Sequence, residues 1–272
     1  RSALHTLPYS NAPISTTAPA VPAVSQRTDF KTIRVSTPLY TIAISEKGAA
    51  VTSFELKSYK ATNAPDSPMK QLITEQMTSG TVLFDLEGQS ISGLKDAVYT
   101  AEVDMDETTV TQGDKKVSFV WTNPQGYSVK KTFTFFADSY VIDCDVDIEN
   151  RTTGSLNDAM VITVPGFYDE EVKSRSRFAF EGPILYVGGE FKSVKPDDIE
   201  ITEKDRKKES KLQEKIDAGR FSGNIDWAGY TERYFMTAVI PKTTGETVES
   251  RVKLAYANDM VTTSYIQKLA LL

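Results

Sequence analysis

The residues of this chain that could do nucleophilic or acid–base chemistry are few and poorly placed for it. The single histidine, His5, stands near the start of the sequence among prolines, serines and threonines, and the single cysteine is Cys144. A Ser-His-Asp or Cys-His site needs an imidazole held against its nucleophile by rigid structure, and a histidine-based zinc site needs several converging ligands. The sequence therefore excludes both kinds of site from the folded region.

Carboxylates are the other groups that could bind a metal or catalyse a reaction. Asp143, Asp145 and Asp147 alternate with apolar residues, but Ile148 occupies the sixth position, where a calcium-binding EF-hand loop needs glycine. On a strand, carboxylates of one face stand ~6.6 Å apart, too far for this row alone to enclose one cation. A glycosidase-like pair among the 37 acidic residues stays open as an alternative.

We expect no metal, no cofactor and no enzymatic activity. Neither a phosphate-binding P-loop nor a dinucleotide-binding glycine fingerprint occurs. Many acidic residues, including Asp169–Glu171 and Asp197–Asp198, stand in segments typical of polar turns. The net charge of −6 argues against a nucleic-acid partner or an anionic membrane surface, because both need an excess of lysine and arginine.

Short alternating runs separated by turn residues predict an antiparallel β domain from Lys31 onward. The strongest hairpin signal joins a strand with Val117 and Phe119 to one with Val129 and Phe133 through a turn at residues 123–126. The clearest strand runs from Ser139 to Asn150. Its apolar face consists of Tyr140, Ile142, Cys144, Val146 and Ile148, which predicts that Cys144 is buried and unpaired.

The two ends and one internal segment differ from this β pattern. Residues 1–28 are rich in proline, serine and threonine without a periodic apolar face, which predicts a flexible linker before a domain at 29–272. The charged segment 197–217 has Leu212 and Ile216 four residues apart and Gly219 after it, which predicts one helix. No apolar run reaches the ~18 residues of a membrane helix, and we expect both ends to be cuts from a longer chain.

The aromatic spacing between Asn224 and Lys242 predicts a bent β segment, with a strand at 235–239 that ends at Pro241. Trp227 followed by Tyr234-Phe235 and the later Pro241 resembles a block of the periplasmic domain of YidC, the bacterial membrane-protein insertase. Three further blocks resemble the same family in order and spacing: Val35 to Tyr59, Leu72-Ile73, and Gly126 to Asn150.

This resemblance implies an all-β fold, a β-supersandwich of two stacked antiparallel sheets similar to galactose mutarotase, with one or two short helices. It implies a non-catalytic domain on the periplasmic side of the inner membrane, which assists insertion and folding of nascent membrane proteins and contacts the SecD/SecF accessory subunits of the Sec translocon. The alternative is a carbohydrate- or peptide-binding module. The chain departs from the family in its longer charged segment and in lacking the family's final strand and amphipathic helix.

The resemblance also implies where a partner would bind. In the family, the segment before the tryptophan block is associated with SecF contact, and here residues 186–216 combine aromatic residues with dense mixed charge. We expect Trp227 and Tyr234 to support this surface from beneath. The candidate partner-binding residues are Tyr186, Phe191, Lys204, Arg206, Lys207, Lys208, Trp227 and Tyr234.

Overall fold

The computed structural model describes residues 29–88, 90–242 and 249–271, so the predicted linker and His5 lie outside the described residues. Strands dominate this part of the chain and helices are short. The strands are β1 (Thr32–Ser36), β2 (Tyr40–Ser45), β3 (Ala50–Lys60), β4 (Met69–Gln71), β5 (Leu83–Leu86), β6 (Thr100–Glu102), β7 (Glu107–Thr109), β8 (Asp114–Thr122), β9 (Tyr127–Phe136), β10 (Ile142–Asn150), β11 (Leu156–Phe167), β12 (Gly182–Val187), β13 (Glu190–Ser193), β14 (Arg220–Ser222), β15 (Ile225–Thr231), β16 (Met236–Val239), β17 (Ser250–Ala257) and β18 (Met260–Leu271). The helices are α1 (Glu170–Arg175), α2 (Pro196–Ile199), α3 (Glu203–Arg206) and α4 (Glu209–Ala218).

Hydrogen bonding divides the strands into four sheets. Sheet 1 has the order β4-β3-β2-β1-β7, sheet 2 the order β10-β9-β8-β6, sheet 3 the order β14-β17-β18-β11-β5, and sheet 4 the order β13-β12-β15-β16. Neighbouring strands are antiparallel except for β1 and β7, which pair in parallel. The predicted all-β sandwich is therefore confirmed.

The β8–β9 hairpin shows how local sequence fixes the register. The Asn123 side-chain oxygen accepts hydrogen bonds from the backbone N–H groups of Gly126 and Tyr127, and Gly126 has a positive φ of 104°. Such a backbone conformation favours glycine. The turn sets the pairing of Val117 with Phe133, so the predicted hairpin is confirmed.

The main core is formed by the inward faces of sheets 1 and 2 together with β5 and β11. Its largest fully buried members include Tyr40, Phe84, Phe119 and Phe133, and Lys131 is buried among them. The Lys131 ammonium donates to the carbonyl oxygens of Ala49 at 2.7 Å, Val82 at 2.9 Å and Gly48 at 3.3 Å. Desolvation lowers the pKa of Lys131 to about 8.

Strand β10 corrects two details of the expected strand at 139–150. The strand begins at Ile142, and Tyr140 precedes it as a partly exposed residue whose ring lies 6.2 Å from that of Tyr40. Cys144 is unpaired, as expected, but half-buried; among the residues that the structure describes, β10 is an edge strand with β9 as its one neighbour in sheet 2. Its side chain still packs against the main core.

The single helix predicted over 197–217 is divided into three short helices, α2, α3 and α4. Lys207 and Lys208 separate α3 from α4, and the Thr202 and Asp205 side chains cap the start of α3 reciprocally. Helix α4 ends at Ala218 with Gly219 as its C-cap, and none of its residues is completely buried; Leu212 and Ile216 are half-buried. Asp169 is the N-cap of α1, so residues 169–171 begin a helix where the sequence indicated a polar turn.

A second core joins sheet 4 to sheet 3. Ile199 of α2 closes this core, which also contains Leu185, Ile225, Ala228, Val252, Leu254 and Tyr265. The segment expected to be one bent strand is a hairpin of β15 and β16, with Glu232 and Phe235 joined across the turn. Two paired strands form here instead of one bent strand, because the hairpin joins the backbone N–H and C=O groups of β15 to those of β16 by hydrogen bonds.

Candidate partner-binding surface

Three predicted residues meet on the outer face of sheet 4. The register places Tyr186 of β12 between Phe191 of β13 and Trp227 of β15. The rings of Tyr186 and Trp227 are stacked with centroids 6.3 Å apart, and Phe191 tilts against Trp227 at 6.1 Å. We call Tyr186, Phe191 and Trp227 the aromatic triad. Its positions come from neighbouring strands that expose alternate residues.

The triad presents apolar surface to solvent. Phe191 is 57% exposed, while Tyr186 and Trp227 are half-buried. The sheet edge beside it carries charge, since the exposed Lys192 and Glu190 side chains form an ion pair that lowers the pKa of Glu190. Apolar rings with a charged border are typical of the centre and rim of protein–protein interfaces.

Ile240 is a further exposed apolar residue of this surface that was not predicted from the sequence. Val239 pairs with Ala228, so the register continued by one residue places Ile240 opposite Trp227, and Ile240 is 63% exposed. It extends the apolar row of the triad towards the β16 side of the sheet. Its position depends on the β15–β16 pairing, which the single-strand interpretation did not contain.

Tyr234 is not beneath this surface, so that expectation is wrong. It lies in the β15–β16 turn, where it is 76% exposed and the Arg233 guanidinium stands 5.1 Å from its ring centre. Thr231, the last residue of β15, lies ~13 Å along the strand from Trp227, at ~3.3 Å per residue. Tyr234 follows Thr231 in the turn and is therefore farther from Trp227 along the chain. Tyr234 therefore belongs to a different end of sheet 4.

The basic segment, which we define as Lys204, Arg206, Lys207 and Lys208, is exposed along and after α3. Arg206 pairs with Glu203 at 3.6 Å. Helix α2 attaches these helices to β17 through Ile199 and through a bridge between Glu200 and Tyr256. Helix α2 thus lies beside β17 of sheet 3, whereas the aromatic triad lies on sheet 4.

The described residues contain no group of three or more His, Cys, Asp or Glu side chains arranged to hold a metal. Asp143 and Asp145 of β10 both form ion pairs with Lys242. Of the helices between residues 29 and 271, none is long and apolar enough to cross a membrane.

Comparison with known proteins gives consistent matches. Residues 32–270 match the family model of the YidC periplasmic domain. The membrane protein insertase YidC of Pelobacter propionicus is 30% identical over 230 residues, which are 83% of this chain and 38% of that protein. The same insertase of Laribacter hongkongensis is 30% identical over 248 residues, covering 85% of this chain and 41% of that protein. The chain thus spans less than half the length of these curated relatives.

Among solved structures, a galactose mutarotase-like protein from Lactobacillus casei matches 86% of this chain and 87% of its own, with 11% identity and a TM-score of 0.45. The family match covers almost every described element, from β1 to β18. The chain belongs to the YidC periplasmic domain family.

Proposed function

We propose that this domain is a non-catalytic, periplasmic part of a membrane-protein insertase and binds the SecD/SecF accessory subunits through the aromatic triad. Family membership supports the insertase context, because the relatives that match are named as insertases. The observation that carries the binding proposal is the exposed triad on sheet 4. Through this contact the domain assists the insertion and folding of nascent inner-membrane proteins by the full-length protein.

The triad has the physical properties of an interface centre. Trp and Tyr residues are enriched among the side chains that dominate binding free energy, and rings fixed by stacking lose little conformational freedom when a partner covers them. Tyr186 and Trp227 hold each other in place before binding. Phe191 and Ile240 supply the exposed apolar area on either side.

The basic segment has a different role in this proposal. Its four cations are exposed on α3 and in the two residues that follow it, where the ion pair between Arg206 and Glu203 contributes little to stability. Exposed charges of this kind accelerate encounter with an acidic partner more than they strengthen the final complex. We therefore expect the basic segment to affect the association rate and the triad to affect the dissociation rate.

Site-specific photo-crosslinking in the full-length insertase tests this proposal. A crosslinker at position 193, which is exposed on the same face of β13 as Phe191, should capture SecF or SecD, and Phe191→Ser combined with Ile240→Ser should reduce the yield at least fivefold without lowering the thermal midpoint. Met105→Ser is the matched control, because Met105 is an exposed apolar residue between β6 and β7. Equal yields from the Phe191/Ile240 variant and the wild type would remove the triad as the contact surface.

A separate variant tests the basic segment. Changing Lys204, Arg206, Lys207 and Lys208 to glutamate should reduce crosslinking at short reaction times and leave the yield at long times nearly unchanged. A loss that persists at long times would show that these cations hold the complex rather than guide its formation.

The carbohydrate-binding alternative rests on the same rings, because exposed aromatic faces also stack on sugars. Titration with galactose and glucose, followed by tryptophan fluorescence and by polarimetry, separates the two functions. We expect neither a saturable fluorescence change nor turnover. A saturable change that Phe191→Ser abolishes would favour the sugar-binding function.

A further inference from the structure

A cavity of about 90 Å³ lies where sheets 1, 3 and 4 meet, away from the aromatic triad. Strand β4 and the segment after it form one wall, residues 165–167 of β11 form the floor, and Tyr230 with residues 235–237 form the opposite wall. The lining is mainly apolar, with Leu72, Ile73, Met77, Phe167 and Val172. The volume suits one small side chain rather than a cofactor.

Two threonine hydroxyls in the lining lack partners. The Oγ1 atoms of Thr74 and Thr81 are buried and make no hydrogen bond within the described structure, and Thr81 is 5% exposed. Thr81 is held in place by paired backbone hydrogen bonds with Val51 at 2.8 and 3.1 Å. An unpartnered hydroxyl in an apolar setting is costly, so a ligand that supplies a hydrogen bond would be bound selectively.

The charges around the cavity cancel. Lys70 pairs with Glu232, and Arg175 forms two hydrogen bonds with Glu181, at 2.8 and 3.2 Å. These four side chains line the cavity as two cations and two anions. The arrangement therefore favours an uncharged ligand.

Exposed apolar side chains surround the opening. Tyr59, Met69 and Met236 are all exposed, and the Tyr59 ring contacts Phe235 edge-on at 5.3 Å. Lys70 stands 6.0 Å from the centre of the Phe235 ring. Apolar side chains of β3, β4 and β16 thus border the opening.

The wall formed by β16 is a sheet edge. Strand β16 pairs with β15 and, in the described part of the chain, with no second strand. The Glu232 N–H donates to the Phe235 carbonyl at 2.7 Å, and hydrogen-bonded pairs in antiparallel strands alternate with non-bonded pairs. Met236 and Ala238 therefore direct their backbone groups away from β15, where an added strand would bind.

We propose that this cavity binds an uncharged, extended polypeptide segment that aligns with the free edge of β16 and inserts one threonine or serine side chain. The free edge of β16 pairs with an extended main chain. The two ion pairs in the lining leave no net charge to attract a charged segment. The hydroxyls of Thr74 and Thr81 select a small side chain that can form a hydrogen bond. The site is independent of the proposed contact through the aromatic triad.

Fluorescence polarisation with two labelled decapeptides tests the proposal on the chain described here. Both probes alternate valine and serine, and their central residue is threonine in one and valine in the other. The wild type should bind the threonine probe more tightly. Thr81→Val should reduce this preference about tenfold, the factor expected for one buried hydrogen bond. Thr100→Val, an exposed threonine of β6, should leave the preference unchanged.

Two further measurements test the strand edge. Ala238→Pro removes an outward-facing donor and should weaken binding of both probes at least tenfold, and a probe with prolines at alternate positions should not bind the wild type. Saturable binding of that proline probe, an unchanged preference in Thr81→Val, or no binding of either decapeptide at millimolar concentration would overturn the proposal. Loss of binding in Phe191→Ser would place the site at the aromatic triad instead.

Discussion

The ring of Tyr230 lies against the α-carbon of Gly166, where a β-carbon would come within 2.2 Å of Tyr230 Cδ2. The Tyr230 hydroxyl donates to the Phe167 carbonyl at 2.9 Å, and burial raises the pKa of Tyr230. Tyr230 and Gly166 thereby add a close contact between sheet 4 and sheet 3 to the packing of the second core.

Gly166→Ala should lower the free energy of unfolding by about 2 kcal/mol, because the added methyl forces the Tyr230 ring to move in a packed interior. Urea denaturation measures the change. In a Tyr230→Leu background the same substitution should cost much less, since the ring that the methyl meets is gone. Equal costs in both backgrounds would contradict the proposed contact.

Lys131 should make stability depend on pH in an alkaline window. Its pKa in the folded protein is about 8, below the ordinary lysine value of 10.5, so between these values the unfolded chain binds more protons and stability rises with pH. The slope is at most about 1.4 kcal/mol per pH unit. Below pH 8 both states are protonated and this dependence disappears.

Lys131→Met isolates this effect. In a Cys144→Ala background, which removes the thiol coupled to Lys131, the difference in unfolding free energy between the protein with Lys131 and Lys131→Met should increase from pH 8 to pH 10, because tyrosine titrations affect both proteins and cancel. Lys130→Met is the matched control, since Lys130 is exposed beside Lys131 and pairs with Glu102. A flat difference would mean that the Lys131 amine titrates normally.

The Cys144 thiol should react slowly with a maleimide at neutral pH even though the residue is half-buried. Burial raises the pKa of this thiol, which reduces the reactive thiolate, and its side chain packs against the main core. Labelling should accelerate strongly in denaturant. A native rate equal to that of free cysteine would show that the thiol faces solvent.

The Arg175–Glu181 pair should contribute more to stability than exposed pairs do. Arg175→Met leaves the buried Glu181 carboxylate without its bidentate partner and should lower the unfolding free energy by about 2 kcal/mol, less than for a fully buried pair because Arg175 is half-exposed. Arg151→Met, which removes an exposed pair with Glu149, should cause no measurable change by thermal denaturation.

The sequence predicted strands where alternation was local and complete. Val129, Lys131 and Phe133 share a face by spacing alone, so the inward direction of Lys131 follows from the pattern. The carbonyl groups that accept hydrogen bonds from its ammonium could not be predicted from the pattern. They belong to Gly48, Ala49 and Val82, which lie in loops distant in sequence. The same limit applies to the cavity, whose walls come from β4, β11 and the β15–β16 hairpin.

The candidate surface was predicted in part for a similar reason. Tyr186 and Trp227 could be grouped by resemblance, and the strand pairing then brought Phe191 beside them. Tyr234 was misplaced because a hairpin and a bent strand share the same aromatic spacing, while they differ in which residue occupies the turn. Only the pairing of Thr231 with Met236 distinguishes them.

The acidic residues of β10 bear on how copies of this domain behave when crowded. An edge strand offers unpaired backbone groups to any passing strand, and self-association between identical edges is the usual hazard. Asp143, Asp145, Asp147 and Glu149 line β10 with carboxylates, three of which pair with Lys242 or Arg151. A strand that added to this edge would have to desolvate these charges, so β10 resists edge-to-edge pairing, whereas Met236–Val239 of β16 contains no acidic residue.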